Sequence, residues 1–342
     1  MRDESVLSAL PTGDDAPTEQ TLRPRDLSEF VGQIKLRERL SISLEAAAAL
    51  DNPLDHVLLS GPPGLGKTTL ASIIAHELGS RFRITSGPAL ERPGDLASIL
   101  TNLDHGDVFF IDEIHRLPRA VEEVLYPAME DFELDIVLGK GPSAQSIRLD
   151  LPRFTLVAAT TRKGKVGAPL RDRFGIVDKL DYYTPDELER IVLRSSGILD
   201  VSITEPAAAM VASRSRGTPR IANRLLARMR DYAVARGDGT VDEPTAAAAL
   251  QVFEVDDLGL DQVDRAILWA LVDTFSGGPV GLSTLAIAVG EEAETVEDAY
   301  EPFLLQSGLM SRTPRGRVPA PAAYAHLGVR LPAGAQPSLL DD

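Results

Sequence analysis

Residues 61–68 have the types and spacing of a phosphate-binding loop, G-x-x-x-x-G-K-T. Glycines in such a loop let successive backbone N–H groups turn towards one anion. Lys67 can reach the β- and γ-phosphates of a nucleotide, and the Thr68 hydroxyl can bind Mg²⁺. The sequence therefore predicts a site for a nucleoside triphosphate.

Two carboxylates form the second candidate for chemistry. Asp112 and Glu113 end a segment over residues 107–113 whose central apolar run predicts a buried strand. Asp112 can hold the Mg²⁺ shell, and Glu113 can orient and deprotonate an attacking water. Taken alone, the pair also fits a solvated strand end. Because the pair lies about 45 residues after Lys67 of the phosphate loop, the two signatures together predict nucleotide hydrolysis.

Three further side chains could contact the γ-phosphate. The Thr160 hydroxyl follows the apolar run over residues 154–159 and can sense the phosphate. Arg173 and a second arginine flank Asp172, so they either pair with it or supply an arginine finger to a neighbouring subunit. Arg220 lies in the first turn of a predicted helix, where the helix dipole disfavours a cation. It therefore needs an anionic partner, for which a bound nucleotide is the candidate.

These groups must be positioned by a larger fold. Four to five apolar strands alternate with helices, which predicts a doubly wound α/β domain over residues 21–181. Within it, residues 132–151 alternate between apolar and polar around the turn-forming residues 139–144, which predicts an inserted β-hairpin. The apolar face of the hairpin either packs on its own domain or docks another protein.

The rest of the chain divides into four predicted segments. Residues 182–255 are predicted to be all helical, with Thr218 and Pro219 at the N-cap and first position of one helix. Three helices and a β-hairpin over residues 256–330 predict a winged-helix domain. Residues 1–20 are expected to form a disordered leader. After Ala323 the chain is expected to fray, ending in a tail over residues 331–342.

The charge distribution restricts how DNA could bind. The chain carries a net charge of −16, so any nucleic-acid contact needs a local basic patch. A predicted helix of the winged-helix domain is too acidic to read the major groove; its acidic residues and those just before it are Glu291, Glu292, Glu294, Glu297, Asp298 and Glu301. The wing instead carries Arg312, Arg315 and Arg317, which predict contacts to phosphates. The alternative is an exposed basic turn without a ligand.

Composition bounds the remaining possibilities. A length of 342 residues predicts two or three domains. The absence of cysteine excludes disulfides, thiolate zinc sites and cysteine nucleophiles. We find no signal peptide pattern and no apolar run approaching about 18 residues, so we expect a cytoplasmic protein without a membrane span.

With these residues in place, the chain resembles the RuvB family of AAA+ ATPases over about residues 20–330. The resemblance rests on residues 22–24, 61–69, 112–116, 125–131, 170–175, 216–224 and 312–317. The first three stretches occur in many AAA+ proteins, and the others together are close to diagnostic of RuvB. The fold implied is a P-loop ATPase domain followed by an all-α lid domain and a C-terminal winged-helix domain.

The resemblance implies a role for each site residue. The adenine side of ATP would be contacted by Leu22, Arg23 and Tyr183. The phosphates and Mg²⁺ would be held by Gly64, Lys67, Thr68 and Thr69. Asp112 would complete the metal shell, Glu113 would be the base, and Thr160 and Arg220 would be the first and second sensors. Arg173 would be the finger in trans, and the subunit border beside the nucleotide would include Glu130, Asp131 and Phe132.

The same resemblance implies a function. It predicts an ATP-driven homohexameric translocase on duplex DNA that drives branch migration at four-way junctions in recombination, repair and the SOS response. The hairpin over residues 132–151 would dock on the junction-binding partner RuvA, and the junction resolvase would be a further partner. One position departs from the family, because Ala293 stands where relatives often carry an arginine. This leaves the wing as the main DNA contact.

Two other functions fit parts of the sequence. A clamp-loader-like or initiator ATPase would use ATP to place a protein on DNA without translocating. A DNA-binding transcription regulator with a degenerate ATPase is disfavoured by the intact Lys67, Asp112 and Glu113. An assay of crossover movement on a four-way junction separates a motor from both.

Overall fold

The computed structural model describes residues 16–138 and 145–331. The chain forms two compact units. The first, here called the sheet unit, spans Arg23–Asp181. The second, here called the helical unit, consists of Met1–Leu22 and Tyr182–Asp342. No helix of the described residues combines the length and apolarity that crossing a membrane requires.

Helices and strands are interspersed along the chain up to the end of the sheet unit, and the first helix belongs to the helical unit. In chain order they are α1 (Ala16–Leu22), α2 (Ile34–Leu50), β1 (Val57–Ser60), α3 (Lys67–Glu77), β2 (Phe82–Ser86), α4 (Pro93–Leu100), β3 (Val108–Asp112), α5 (Arg119–Glu130), β4 (Glu133–Leu138), β5 (Gln145–Asp150), β6 (Thr155–Thr160), α6 (Ala168–Arg171) and β7 (Ile176–Lys179). Five of these strands form a parallel sheet in the order β2-β3-β6-β1-β7. The predicted α/β class is confirmed.

The sheet is buried, which explains its unbroken apolar strands. Four successive side chains of β3, from Val108 to Ile111, have no exposed surface, and all six residues of β6 are buried. Parallel strands covered on both faces have this composition. Because β6 lies between β1 and β3, the carboxyl ends of these three strands meet at one edge of the sheet. Ser60, at the end of β1, is in register with Thr160 at the end of β6.

The predicted hairpin is present as β4 and β5. Their antiparallel register pairs Leu134 with Leu149 and Asp135 with Arg148. Leu134 is buried in the core of the sheet unit, whereas Ile147 and Leu149 are exposed. The predicted turn at residues 139–144 lies outside the described residues. The base of the apolar face therefore packs on its own domain and its outer part faces solvent, while docking of another protein there stays a prediction.

The helical unit continues the chain from Tyr182. Its elements are α7 (Pro185–Leu199), β8 (Ser202–Ile203), α8 (Glu205–Ser213), α9 (Pro219–Arg236), β9 (Thr240–Val241), α10 (Glu243–Val252), α11 (Gln262–Trp269), α12 (Leu282–Val289), α13 (Ala293–Thr295), α14 (Glu301–Gln306), β10 (Met310–Thr313), β11 (Gly316–Pro319) and α15 (Pro321–His326). A capping box begins α7, because Thr184 Oγ1 accepts from the Glu187 amide and Glu187 accepts from the Thr184 amide. The expectation of an all-helical segment misses one parallel pair of two-residue strands, β8 and β9.

The structure corrects two expectations about the ends of the chain. The leader predicted for residues 1–20 includes the start of α1, a helix held by tertiary contacts rather than by its own composition: Arg194 donates to Leu22 O at 2.8 Å, and Glu19 pairs with Arg220. The fraying expected after Ala323 is also wrong up to residue 331. Helix α15 buries Ala323 and Tyr324 in the winged-helix core. The tail at 332–342 lies outside the described residues, as do residues 1–15.

The predicted winged-helix arrangement is confirmed. Helix α11 continues through a π-helical turn at residues 270–274, and a second π turn at 296–300 joins α13 to α14. The strands β10 and β11 form the antiparallel wing, and Val280 bridges to Arg317. A separate apolar core, which includes Leu268, Leu285 and Leu304, holds these helices together.

Candidate nucleotide site and wing

The phosphate loop follows β1 at the carboxyl edge of the sheet. The Gly61 amide donates to Thr160 O at 3.1 Å, which ties the first residue of the loop to the neighbouring strand. Gly61 has a φ of +143°, and a Cβ there would lie 2.7 Å from Leu180 O. Only glycine therefore fits at this position. The start of the loop is therefore fixed by its contacts with the sheet.

Lys67 lies at the first position of α3 with its side chain buried. Its Nζ donates to Gly61 O at 2.8 Å and to Pro62 O at 2.7 Å. A buried ammonium needs acceptors of this kind to offset its lost hydration. The ammonium is therefore held by the first two residues of the loop, and phosphate oxygens can replace these carbonyls. Gly64 lies within the loop at a φ of +78°, and Thr68 and Thr69 follow in the first turn of α3.

The two strand-end carboxylates have different surroundings. Asp112 ends β3, and its Oδ1 accepts from the Glu113 amide at 2.9 Å. Glu113 has a φ of +49°, a conformation that costs about 1 kcal/mol and turns the chain sharply after the strand. Its Oε2 pairs with Arg116 Nη1 at 3.2 Å. The Thr68 hydroxyl and the Asp112 carboxylate are oxygen ligands of the kind that Mg²⁺ prefers, so the residues fit that ion.

Thr160 has a partner that the sequence did not predict. Its hydroxyl lies 3.0 Å from His115 Nδ1 and accepts from the Arg162 amide at 3.0 Å. His115 belongs to the turn that directly follows Asp112 and Glu113. The structure therefore joins the predicted sensor to the predicted hydrolytic pair. His115 and Arg116 lie close after the two carboxylates in sequence, and this proximity was the available signal for both.

Arg173 is positioned by other residues than its neighbour Asp172. Its Nη2 pairs with Glu130 at 3.0 Å, and its guanidinium lies 4.5 Å from the centre of the Tyr126 ring. Burial, followed by the charge of Glu122, raises the pKa of Tyr126. The structure thus brings the predicted finger, Arg173, together with Glu130 of the predicted subunit border.

The other two residues of that border differ from each other. Asp131 is exposed at the end of α5. Phe132 has a φ of +56° and packs its ring against His56 and Phe154. Burial lowers the pKa of His56, whose ring accepts from the Leu156 amide. Phe132 therefore anchors the hairpin to the core of the sheet unit.

Of the residues expected on the adenine side, Arg23 begins the sheet unit, and Leu22 and Tyr183 belong to the helical unit. Leu22 and Tyr183 are both buried, and the Tyr183 amide donates to Gly217 O at 3.0 Å. Arg220, in the same unit, has the anionic partner that its place in a helix requires. The partner is a carboxylate of the chain itself, because Arg220 Nε lies 2.9 Å from Glu19 Oε1.

The wing arginines are not equivalent. Arg312 and Arg317 both pair with Glu301, and Arg312 also lies 3.2 Å from Glu297. Burial would raise the pKa of Glu301, but hydrogen bonds from the two arginines outweigh it and lower that pKa. Arg315 lies exposed at the turn between β10 and β11. Much of the positive charge expected on the wing is therefore paired with the acidic helix.

Three family models match successive parts of the chain. A model described as the Holliday junction DNA helicase RuvB P-loop domain matches residues 22–180. The RuvB AAA lid domain matches residues 183–256, and the RuvB C-terminal winged helix domain matches residues 257–328. Together these models account for nearly the whole of the described chain.

Solved structures from Thermotoga maritima are similar over nearly their whole length. The RuvB Holliday junction branch migration motor is 51% identical with a TM-score of 0.84, over 92% of this chain and 100% of that chain. Two of its point mutants are each 50% identical with TM-scores of 0.84, over 91% of this chain and 99% or 100% of theirs. The similarity includes all three matched domains.

Proposed function

The chain belongs to the RuvB family of Holliday junction DNA helicases and is a P-loop ATPase, and from that premise we propose that it is the motor that drives branch migration of Holliday junctions along duplex DNA. The observation that carries the proposal is the carboxyl edge of the sheet. There the phosphate loop, the Asp112–Glu113 pair and Thr160 lie on three adjacent strands, in a chain that also contains a winged-helix domain.

We assign the steps of hydrolysis to the residues of this edge. Lys67 exchanges its loop carbonyls for the β- and γ-phosphates. Thr68 and Asp112 would hold Mg²⁺, which would neutralise charge on the phosphate oxygens of bound ATP. Glu113 takes the proton of the attacking water, so its carboxylate must leave Arg116. Thr160 contacts the γ-phosphate and connects it to His115.

The proposal includes a homohexameric ring, in which Arg173 completes the site of the neighbouring subunit. A guanidinium stabilises the charge that develops on the transferred phosphoryl group. Arg173 is well placed to be presented in this way, because Glu130 and Tyr126 fix its orientation at the surface of the sheet unit. Glu130 and Asp131 would then lie at the border between subunits.

We further propose that the outer part of the β4–β5 hairpin docks on the junction-binding partner RuvA. Ile147 and Leu149 are exposed on one face of β5, in a pair of strands anchored by the buried Leu134 and by Phe132. Apolar side chains exposed next to each other on one face of a hairpin fit a protein–protein contact. The junction resolvase is a further proposed partner. The proposed processes are recombination, repair and the SOS response, and the proposed location is the cytoplasm.

For DNA we propose that the wing contacts phosphates without reading bases. Arg315 is the main candidate because it is exposed, and Arg312 is the second. Arg317 contributes mainly by holding the wing on the acidic helix. One or two contacts per subunit become effective when several wings line one ring, because the later contacts form at high local concentration.

A strand-exchange assay tests the motor function. A synthetic four-way junction with arms of unequal length is incubated with the protein, RuvA and ATP, and the products are separated by size. We expect ATP-dependent movement of the crossover, and none with Glu113→Gln. A protein that binds the junction and hydrolyses ATP without moving the crossover would instead be a loader or initiator.

A separate pair of variants tests the docking surface. We expect the double substitution Ile147→Ser and Leu149→Ser to preserve ATP turnover on plain duplex and to abolish recruitment to RuvA-bound junctions. The matched control replaces Asp135 and Arg148, which pair across the polar face of the same hairpin at 3.0 Å. If both double variants lose recruitment equally, or if the first loses its cooperative melting, the apolar face is not a specific docking surface.

A further inference from the structure

Arg216 occupies an unusual position in the segment between α8 and α9. It has a φ of +52°, and its side chain is only 2% exposed. A residue with a Cβ in this left-handed region costs about 1–2 kcal/mol, so the surroundings must hold it there. Four residues later lies Arg220, the proposed second sensor.

The Arg216 side chain points into the winged-helix domain. Its Nε donates to Gly259 O at 2.7 Å, and its Nη2 pairs with Asp264 and, at 3.4 Å, with Asp261. The guanidinium lies 5.1 Å from the centre of the Phe303 ring. Asp264 also accepts from the Asp261 amide and so caps α11. Arg216 is therefore fixed to the first helix of the winged-helix domain.

The backbone on the other side of Arg216 holds the proposed nucleotide contacts. Gly217 O accepts from the Tyr183 amide at 3.0 Å, and a Cβ on Gly217 would lie 2.9 Å from Tyr182 Cβ. The Thr218 hydroxyl donates back to Arg216 O at 3.1 Å rather than capping α9. With so little free space, a displacement of Arg216 must move Tyr183 and the first turn of α9 together.

A stabilising role alone does not account for this cluster. Within the described chain, Arg216 Nη1 and Asp264 Oδ1 are buried without a hydrogen-bond partner. Buried ion pairs with unsatisfied atoms are often no more stable than apolar packing of the same volume. Such a cluster does, however, hold the segment between α8 and α9 and the winged-helix domain in one arrangement, and it resists small displacements. That property is what transmission between two sites requires.

We propose that Arg216 is a positioning residue that couples the winged-helix domain to the nucleotide contacts at Tyr183 and Arg220. The coupling makes ATP turnover responsive to DNA held by the wing. This inference rests on the proposed function, since that function assigns Tyr183 and Arg220 to the nucleotide and the wing to DNA.

Three variants separate coupling from stability. Arg216→Lys keeps the charge, but one ammonium cannot hold Gly259 O and Asp264 in a fixed fork. Phe303→Leu removes the ring beside the guanidinium and keeps an apolar side chain. Arg214→Lys is the matched control. It makes the same substitution two residues away, where Arg214 pairs at 2.8 Å with Asp257, whose side chain is 96% exposed.

Amide hydrogen exchange without DNA is the first measurement. We expect faster exchange in Arg216→Lys and Phe303→Leu at the amides of Tyr183 and Ala222, which donate to Gly217 O and Thr218 O. The control should exchange as the wild type does. Unchanged exchange in both test variants overturns the proposal.

The second measurement is ATP turnover with and without duplex DNA. In the test variants the stimulation by DNA should fall by about fivefold or more, with turnover in the absence of DNA within about twofold of wild type. Loss of DNA-free turnover together with a collapsed melting temperature would identify a structural anchor and overturn the coupling. A wild type that DNA does not stimulate would contradict the proposed motor function instead, and the exchange result would still decide whether Arg216 couples the two regions.

Discussion

Replacing Arg317 by Ala should destabilise the winged-helix domain, whereas replacing Arg315 by Ala should weaken DNA binding. Arg317 is 14% exposed and donates to Glu301, which is 1% exposed. Arg315 is exposed at the turn of the wing. The two substitutions delete the same side chain two residues apart in one hairpin, so each is the control for the other.

The structure sets the expected magnitudes. Removing one partner of a buried ion pair costs about 3–5 kcal/mol, because a charge remains buried without compensation. Arg312 Nε still donates to Glu301 in the Arg317→Ala protein, so we expect a loss of about 2 kcal/mol in the free energy of unfolding. Arg315→Ala should stay within about 0.5 kcal/mol of wild type. It should instead lower the slope of log K against log salt by about 0.9 for each phosphate that the wing no longer neutralises.

Urea unfolding and DNA titration measure the two effects separately. Trp269 is the only tryptophan of the chain and lies in α11, so its fluorescence reports on the winged-helix domain. Labelled duplexes of two unrelated sequences are titrated at several salt concentrations. These roles are refuted if Arg317→Ala unfolds as wild type does while losing DNA affinity, or if Arg315→Ala leaves both affinity and salt slope unchanged.

The described contacts support three other predictions. Glu113→Gln should bind a fluorescent nucleotide normally and release no phosphate, because an amide cannot take the proton of water; near-normal phosphate release would remove Glu113 as the base. Arg173→Ala should reduce turnover by a factor on the order of 10³, and mixing it with Lys67→Ala should restore some activity; mixtures no better than either parent would contradict a role in trans. The pKa of Glu301 is lowered from 4.5 in the folded protein. Its ion pairs therefore contribute to the free energy of unfolding above that pH, and this contribution is lost as acid protonates the carboxylate. The difference in unfolding free energy between wild type and Glu301→Gln should therefore shrink as the pH falls below about 4.5, and a difference that does not change with pH would contradict this assignment.

The catalytic edge of the sheet was predictable because its signals are local. The phosphate loop that leads to Lys67 follows an apolar strand, Asp112 and Thr160 each end one, and parallel strands of one sheet end at the same edge. The hairpin was equally clear from alternation over a short range. In each case, the residues that define the feature are neighbours in sequence.

Local sequence signals were too weak to predict α1, and the signal that begins α15 was concealed by its surroundings. The residues of α1 are polar and too few for a stable isolated helix, and long-range contacts from Arg194 and Arg220 hold it in place. Helix α15 begins with Pro321 at its first position, a start signal present in the sequence. The Pro-rich composition around it concealed that signal.

Ion-pair and hydrogen-bond partners could not be predicted, since they depend on tertiary packing. Arg173 and Glu130 are separated by 43 residues, and Thr160 and His115 by 45. The basic wing and the acidic helix were both evident from composition. Their pairing through Glu301 was not, because it depends on how the hairpin folds back onto α14.

The charged groups assigned to catalysis all have partners within their own unit. The Glu113–Arg116 pair is more than a third exposed on both sides, so releasing the base costs less than about 1 kcal/mol. Lys67 is buried, and its ammonium needs acceptors at every stage. ATP binding must therefore exchange loop carbonyls for phosphate oxygens without an intermediate in which the charge lacks a partner. The net gain from these contacts is the difference between two sets of charge-assisted hydrogen bonds. Their larger effect is on Lys67, because an ammonium held beside the loop needs little reordering to contact the phosphates.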